Sequence, residues 1–416
     1  MISFEYVIKE PVGIHARPAG MLNKEARKYK SAIIVHKGEK SANVLRLMAL
    51  MQLGVKCGET VKVTIEGEDE ATVAPIVEEY NVPVISKDWK SVIADPAVDA
   101  VCLATTEKLR KPVIEFAAIH GKPVYVEKPL AAKLEEMYEI QKIVHKYNIP
   151  FCVGHNRRCS PAMIEAHEIF RKQMKENRQC KWRWDREKDR PVLDSDGKAS
   201  INVRINDDWY SWKAWVFDKT QAPHGPMLFE MTHFTDICNW FLDAEPSEVV
   251  AMETGMLNHA IIIKYKTGEI ASLNLCANGT FGYPKELYEA MGNGSIVVVD
   301  HMCEVRTAGI PGVPEVIKYP FLNDKHPSIG TEGGINGWLA KKSAACKEAE
   351  KANDQILQFT AEPNKGHAIA IDLFVDEING ERGEVCGVDS AVMATRIAFA
   401  AVKSAAEGRI VKIEEI

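Results

Sequence analysis

Two histidines and one lysine stand where the surrounding residues could make them reactive. His15 lies in Gly13-Ile14-His15-Ala16-Arg17-Pro18-Ala19-Gly20. Pro18 suits the first turn of a helix running on through Met21 to Ala26, because its missing N–H costs nothing there. His15 then faces free backbone N–H groups and the positive end of the helix dipole, with Arg17 on the same turn. An imidazole beside an anion site of this kind is suited to carry a phosphoryl group. Lys128 follows Val124-Tyr125-Val126-Glu127 and precedes Pro129. The apolar run reads as a buried parallel strand, and Pro129 stops it. Lys128 is thereby held at the carboxyl end of that strand, where open α/β sheets place their ligands. Further on, Met227 to Trp240 reads as one amphipathic helix with Glu230, His233 and Asp236 at i, i+3 and i+6. A carboxylate that orients an imidazole there suits a base taking a proton from a hydroxyl.

The bulk numbers frame these sites. A chain of 416 residues calls for two or three domains. The net charge of −6 argues against a general nucleic-acid binder. The ten cysteines include no C-x-x-C pair, so a zinc site or disulfide framework is not suggested, and buried thiols in a reducing cytosol are the simpler reading. No long apolar run marks a signal peptide or a membrane span, and a cytoplasmic protein is expected.

Residues 1–84 resemble the histidine phosphocarrier (HPr) of the sugar phosphotransferase system. The likeness rests on the His15 motif, on Lys40-Ser41-Ala42-Asn43, on the short apolar helix Leu45 to Leu53, and on Gly58-Glu59-Thr60-Val61-Lys62-Val63. It implies an open-faced β-sandwich. It implies that His15, with Arg17 at the phosphate site, passes phosphate from enzyme I to sugar-specific acceptor proteins, and that Leu47, Met48 and Met51 meet those partners or close the small core. Arg46 stands where many members carry a regulatory serine, so kinase control there is not expected.

The stretch around Glu127-Lys128-Pro129, with Ala104-Thr105-Thr106 before it and Gly154-His155-Asn156-Arg157-Arg158 after it, resembles the Gfo/Idh/MocA oxidoreductases. These are sugar and cyclitol dehydrogenases that use NAD or NADP. The resemblance places Thr105, Thr106, Glu127, Lys128, Pro129 and Asn156 at the cofactor. It makes Lys128, Glu230 and His233 the catalytic set. Many members hold the assisting acid four residues before the histidine, where this chain has Phe229, and Arg110 stands where a histidine is common.

A Rossmann half opens with a strand, a G-x-G-x-x-G turn and a helix. No such turn precedes Lys128, and the residues before Val82 already belong to the first pattern. The expected order is therefore the phosphocarrier domain (1–84), a truncated Rossmann-like parallel sheet (82–153) and an α+β domain with a large, mostly antiparallel sheet (154–416). A helix over Glu70 to Tyr80 closes the first part, and Trp89 to Ile93 is a short helix capped by Asp88. Lys111 to His120 and Leu134 to Tyr147 are helices between strands. The aromatic segment holding Trp182, Trp184, Trp209, Tyr210, Trp212 and Trp215 suits stacking on sugar rings or interface packing. The open face of the large sheet implies a homo-oligomer by the family's habit. Three readings follow: an NAD(P)-dependent sugar or cyclitol dehydrogenase fused to a phosphocarrier, a carrier or signalling protein whose oxidoreductase half no longer turns over, or an internally shortened version of a longer fusion.

Overall fold

The computed structural model describes residues 2–8, 14, 32–38, 40–66, 86, 88–175, 184–185, 190–191, 197–208, 225–254, 257–322, 333–352, 362–381 and 385–416. The chain divides into two compact units, residues 1–96 and 97–416.

In the first unit, β1 (Ile2–Val7), β2 (Ala32–Lys37), β3 (Lys40–Asn43) and β4 (Thr60–Glu66) form an antiparallel sheet in the order β1-β4-β2-β3. Val35, Ala42 and Val61 point to one face and pack with Val44, Leu50 and Val55. Leu50 belongs to the helix Leu47–Gln52, slightly shorter than its apolar run suggests. Ile14, next to His15 in the sequence, is buried and donates its N–H to Val55 O at 2.9 Å. The expected helix over Glu70 to Tyr80 lies outside the described residues. Asp88 caps the helix Trp89–Ile93 by accepting from Ser91 N.

The second unit begins with a parallel sheet, β5 (Val101–Leu103), β6 (Val124–Val126) and β7 (Phe151–Val153). Every residue of β6 and β7 is buried, as continuous apolar runs in a parallel sheet should be. The crossover helices are Glu107–Ile119 and Leu134–Tyr147. The first starts a turn earlier than Pro112 suggests. Pro112 sits inside it and leaves one carbonyl without a helical donor. The helix His367–Ile378 places Ala370 and Phe374 against Tyr125 and Cys152, with the Tyr125 and Phe374 rings 6.0 Å apart.

A short hairpin, β8 (Trp184–Asp185) with β9 (Arg190–Pro191), precedes the large sheet. That sheet comprises β10 (Ala199–Asn206), β11 (Pro246–Thr254), β12 (Asn258–Tyr265), β13 (Ile270–Cys276), β14 (Glu286–Gly292), β15 (Ser295–Asp300), β16 (Glu304–Ala308), β17 (Val316–Lys318) and, after the small β18 (Phe321–Leu322) and β19 (Glu362–Pro363) pair, β20 (Val411–Lys412). Its order is β17-β16-β15-β14-β10-β13-β12-β11-β20, antiparallel except where β10 meets β13. β10 was not foreseen, although Ala199, Ile201, Val203 and Ile205 alternate with polar residues at period two and all point into the core. Helices Pro161–Lys175, Met231–Leu242 and Val388–Glu407 cover one face, through Phe170, Phe234, Phe241, Ile397 and Ala401. Small residues let the last helix approach closely: Thr235 Oγ1 donates to Ala394 O, and Ser404 Oγ accepts from Ala251 N, both at 2.9 Å. The opposite face carries exposed Met252 and Ile262. The helix Ile335–Ala352 is a further addition to the sequence reading.

The described structure thus has the expected three-part order of small antiparallel, parallel and large mixed sheets. One departure matters for the site. The expected continuous helix over Met227 to Trp240 is broken into Gly225–Phe229 and Met231–Leu242, with Glu230 at the break (φ −119°, ψ −41°). The break frees Glu230 from the helical surface and lets its carboxylate reach other elements.

Gly366 joins the helix His367–Ile378 to the turn after β7. Its φ is +82°, and a Cβ there would lie 2.3 Å from the carbonyl carbon of Cys159. Left-handed backbone and steric overlap both oppose a side chain. Gly366→Ala is expected to lower the unfolding free energy of the 97–416 unit by about 2–4 kcal/mol in urea titration. A change within about 0.5 kcal/mol would show that this junction relaxes freely.

Candidate functional site

The carboxyl ends of β5, β6 and β7 carry the residues singled out in the sequence: Thr105 and Thr106 after β5, Glu127, Lys128 and Pro129 after β6, and Asn156 after β7. Arg110 binds two of these ends together. Its guanidinium donates to Thr105 O at 2.8 and 3.2 Å and to Pro129 O. The residue that departs from the family pattern therefore positions the loops around Lys128. Thr106 occupies the N-cap position of the helix Glu107–Ile119 without a side-chain capping bond. Thr105 Oγ1 is buried and has no partner. Glu127 N donates to Leu103 O at 2.8 Å, and its carboxylate lies against Gly154, where a Cβ would approach Glu127 Oε1 to 3.0 Å. Asn156 donates from Nδ2 to Lys365 O at 2.7 Å.

Lys128 reaches across to the broken helix. Its ammonium donates to Phe229 O and lies 3.6 Å from Glu230 Oε2. Position 229 thus receives Lys128 on its backbone carbonyl. Burial pulls the Lys128 ammonium below its ordinary range, and Glu230 opposes that shift. The Glu230 carboxylate also meets Lys285 Nζ at 2.6 Å and Arg157 Nη2 at 3.4 Å. Burial would raise its pKa, but Lys285, Lys128 and Arg157 outweigh that and hold it far below the usual carboxylate range.

The network extends through residues whose role the sequence did not reveal. Arg157 pairs with Glu286 at 2.9 Å, and Lys285 pairs with Asp207 at 2.8 Å. Glu286 accepts from the Tyr288 hydroxyl, and despite its burial Arg157 holds its pKa to about 2. His301 Nδ1 accepts from Lys285 N at 3.1 Å, fixing the start of β14. Arg157 stood inside a recognised motif, but Lys285 and Glu286 carried no local signal.

His233 faces a different neighbour from the one expected. Its Nδ1 has no hydrogen-bond partner, because the Glu230 carboxylate lies on the cations. The ring instead meets His155 edge to face, with centroids 5.4 Å apart. Neither ring nitrogen of His155 has a hydrogen-bond partner. Burial pushes His155 down to about 4, and burial with Arg157 and Lys128 drives His233 well below its ordinary value. Both imidazoles are neutral near pH 7 and retain donor and acceptor capacity. Asp236 does not join them. It takes a bidentate pair from Arg158 at 2.5 and 2.6 Å.

His15, Arg17 and the side chains of Leu47, Met48, Met51 and the aromatic segment lie outside the described residues. Groups of histidine, cysteine and carboxylate suited to a metal ion are absent among the described residues. A dinucleotide needs a strand–glycine turn–helix unit to receive its pyrophosphate. Among the described residues the parallel sheet starts at Val101, and no G-x-G-x-x-G turn stands before it in the sequence. The residues that the resemblance places at the cofactor stand at the ends of β5, β6 and β7, and no pyrophosphate cradle accompanies them among the described residues. None of the described helices is long and apolar enough to cross a membrane.

Comparisons with known proteins divide the chain in the same way. Residues 2–80 match the family described as PTS HPr component phosphorylation site. The phosphocarrier protein HPr of Mycoplasma genitalium is 41% identical over 71 residues, which are 17% of this chain and 81% of that protein. A D-xylose dehydrogenase of Paenarthrobacter nicotinovorans is 30% identical over 120 residues, 28% of this chain and 31% of that enzyme, so the match spans about a third of its length. The structure of a levoglucosan dehydrogenase in complex with NADH and levoglucosan superposes with a TM-score of 0.60 and 19% identity, covering 83% of this chain and 88% of that one. At that identity the likeness establishes the fold.

The buried histidines give the second unit a predictable acid response. His155 and His301 are held neutral by burial, at about 4 and about 3 against an ordinary 6.5. The unfolded chain takes up these protons first, so stability is full above pH 6.5 and falls as pH drops toward those values, by about 1.4 kcal/mol per pH unit for each histidine. Glu286, depressed to about 2, adds its loss only below about pH 4.3. Urea unfolding between pH 7.5 and 4.5 should show the decline, and His155→Asn should make it shallower. A flat profile would mean that these rings are already solvated.

Proposed function

The chain belongs to the HPr family across residues 2–80 and joins that domain to one with the Gfo/Idh/MocA-type oxidoreductase fold, and from this premise we propose that it is a phosphocarrier whose C-terminal half binds a sugar or cyclitol without oxidising it. In this reading His15 receives a phosphoryl group from enzyme I, with Arg17 facing the anion, and hands it to a sugar-specific acceptor protein. The observation that carries the second half of the proposal is the missing pyrophosphate cradle. Phosphocarrier sequence runs to residue 80, and the parallel sheet begins at Val101, so no room remains for a leading strand, turn and helix. What is retained is a set of polar groups suited to hydroxyls: half-buried Lys128, buried Glu230 and the buried, neutral pair His155 and His233. The protein would work in the cytoplasm, where its phosphotransferase partners act, and the open face of the large sheet would join copies of the chain.

A second reading is favoured by the convergence of Lys128, Glu230 and His233 around one cluster, and by the similarity to a D-xylose dehydrogenase. Under it the chain is an NAD- or NADP-dependent sugar dehydrogenase that completes its nucleotide site by other means.

Incubation with enzyme I and phosphoenolpyruvate should label the wild-type chain at a histidine and leave His15→Ala unlabelled. Equal labelling of the two would remove the carrier assignment. In the same preparation, free cyclitols and pentoses should produce no NADH or NADPH. Steady cofactor reduction would establish the second reading.

A further inference from the structure

The parallel sheet ends differently on its two sides. Beyond β7, Val153 N donates to Cys386 O at 2.8 Å, so the turn leading into the helix Val388–Glu407 closes that edge. Beyond β5, no strand is paired among the described residues. The ladder fixes which groups are left there. Val101 N donates to Pro123 O at 2.9 Å, and Glu127 N donates to Leu103 O at 2.8 Å, so Val101 and Leu103 turn their backbone groups toward β6. Cys102, between them, turns its N–H and C=O the other way.

The side chains repeat the pattern. Val101 and Leu103 are buried, while Cys102 and Ala104 are exposed. Cys102, Tyr125 and Cys152 stand in one row across the sheet. The helix His367–Ile378 packs over Tyr125 and Cys152, but the row is left uncovered at Cys102. That helix itself exposes Ile371 and Val375. A parallel strand is ordinarily buried on both faces, and an edge strand is ordinarily guarded by a lysine, a proline or a bulge. Ala100-Val101-Cys102-Leu103-Ala104 carries neither charge nor proline, and β5 runs beside β6 without a register shift.

We infer that a second copy of this chain continues the sheet at this edge, β5 beside β5 about a two-fold axis through Cys102. Cys102 has one donor and one acceptor on the open side, so a copy related by two-fold symmetry returns both bonds, and the edge is its own complement. The direction follows from charge. Antiparallel pairing about Cys102 sets Asp99 opposite the second copy's Thr105, whereas parallel pairing would set two Asp99 carboxylates side by side. The axis is perpendicular to the sheet, so both copies of the helix His367–Ile378 lie on the face that carries the two Cys102 side chains. Their Ile371 and Val375 are the apolar area available beyond a backbone ladder too short to hold by itself. The product is one continuous sheet in the order β7-β6-β5-β5-β6-β7. This contact is separate from the open face of the large sheet, where Met252 and Ile262 lie.

Sedimentation of the full chain at micromolar concentrations tests this, together with a short bismaleimide cross-linker. The wild type should run as an even-numbered assembly and give a covalent dimer. That dimer should disappear in Cys102→Ala, which keeps the mass of the assembly. Cys102→Lys sets two ammonium groups face to face across the axis and should halve that mass. Met252→Lys, on the open face of the large sheet, should leave the Cys102 cross-link in place. A monomeric wild-type chain overturns the inference, and so does a chain without a Cys102-dependent cross-link. An unchanged mass for folded Cys102→Lys overturns it as well. Should that variant not fold, cross-linking of the wild type against Cys102→Ala decides alone.

Discussion

The Glu230 carboxylate, held among Lys285, Arg157 and Lys128, is the contact on which the rest of the site depends. It joins the end of β6, the turn after β7, the break between two helices and the start of β14. Charges buried this deeply are tolerable only when each is paired and hydrogen-bonded, and removal of one partner commonly costs about 3–5 kcal/mol. Closure of the network explains why Glu230 leaves the helix, why the helix breaks there, and why His233 is left to face His155 instead of a carboxylate. Electrostatic compensation, and not the helical repeat, decides where these side chains point.

The same constraint narrows the chemistry. A dehydrogenase site needs a fixed dinucleotide as well as a proton acceptor. In the dehydrogenase reading His233 would be the proton acceptor, with Lys128 and Glu230 beside it, and Arg110 secures the loops at the ends of β5 and β6. The phosphate-binding turn has no counterpart in the sequence, since phosphocarrier residues occupy the preceding stretch. Under the proposed reading, a sugar-binding half without a redox partner, attached to a phosphocarrier, would be a coherent arrangement for sensing or recruiting a sugar.

Local patterns in the sequence carried much of this. Val124-Tyr125-Val126 before Glu127-Lys128-Pro129 placed Lys128 at a strand end because the apolar run and the proline are both local signals. The three sheets followed from the alternation of patterns along the chain. The helix break at Glu230 did not, because its cause lies in Lys285 and Arg157, more than fifty residues away in either direction. Lys285 and Glu286 look like an ordinary charged start to a strand until Asp207, Arg157 and Glu230 are brought to them. β10 has a clear period of two, set between two stretches dense in aromatic residues that carry no such alternation. Arg110 read as a departure from a pattern, yet its length and fork of donors let it tie two backbone carbonyls together.

The most direct measurement is a titration of the folded full chain with NADH and NADPH, followed by nucleotide fluorescence and calorimetry. The missing cradle predicts no saturable binding up to millimolar concentrations. Saturable binding at micromolar concentrations would contradict the account, because it would require a pyrophosphate site built from residues that carry no such motif.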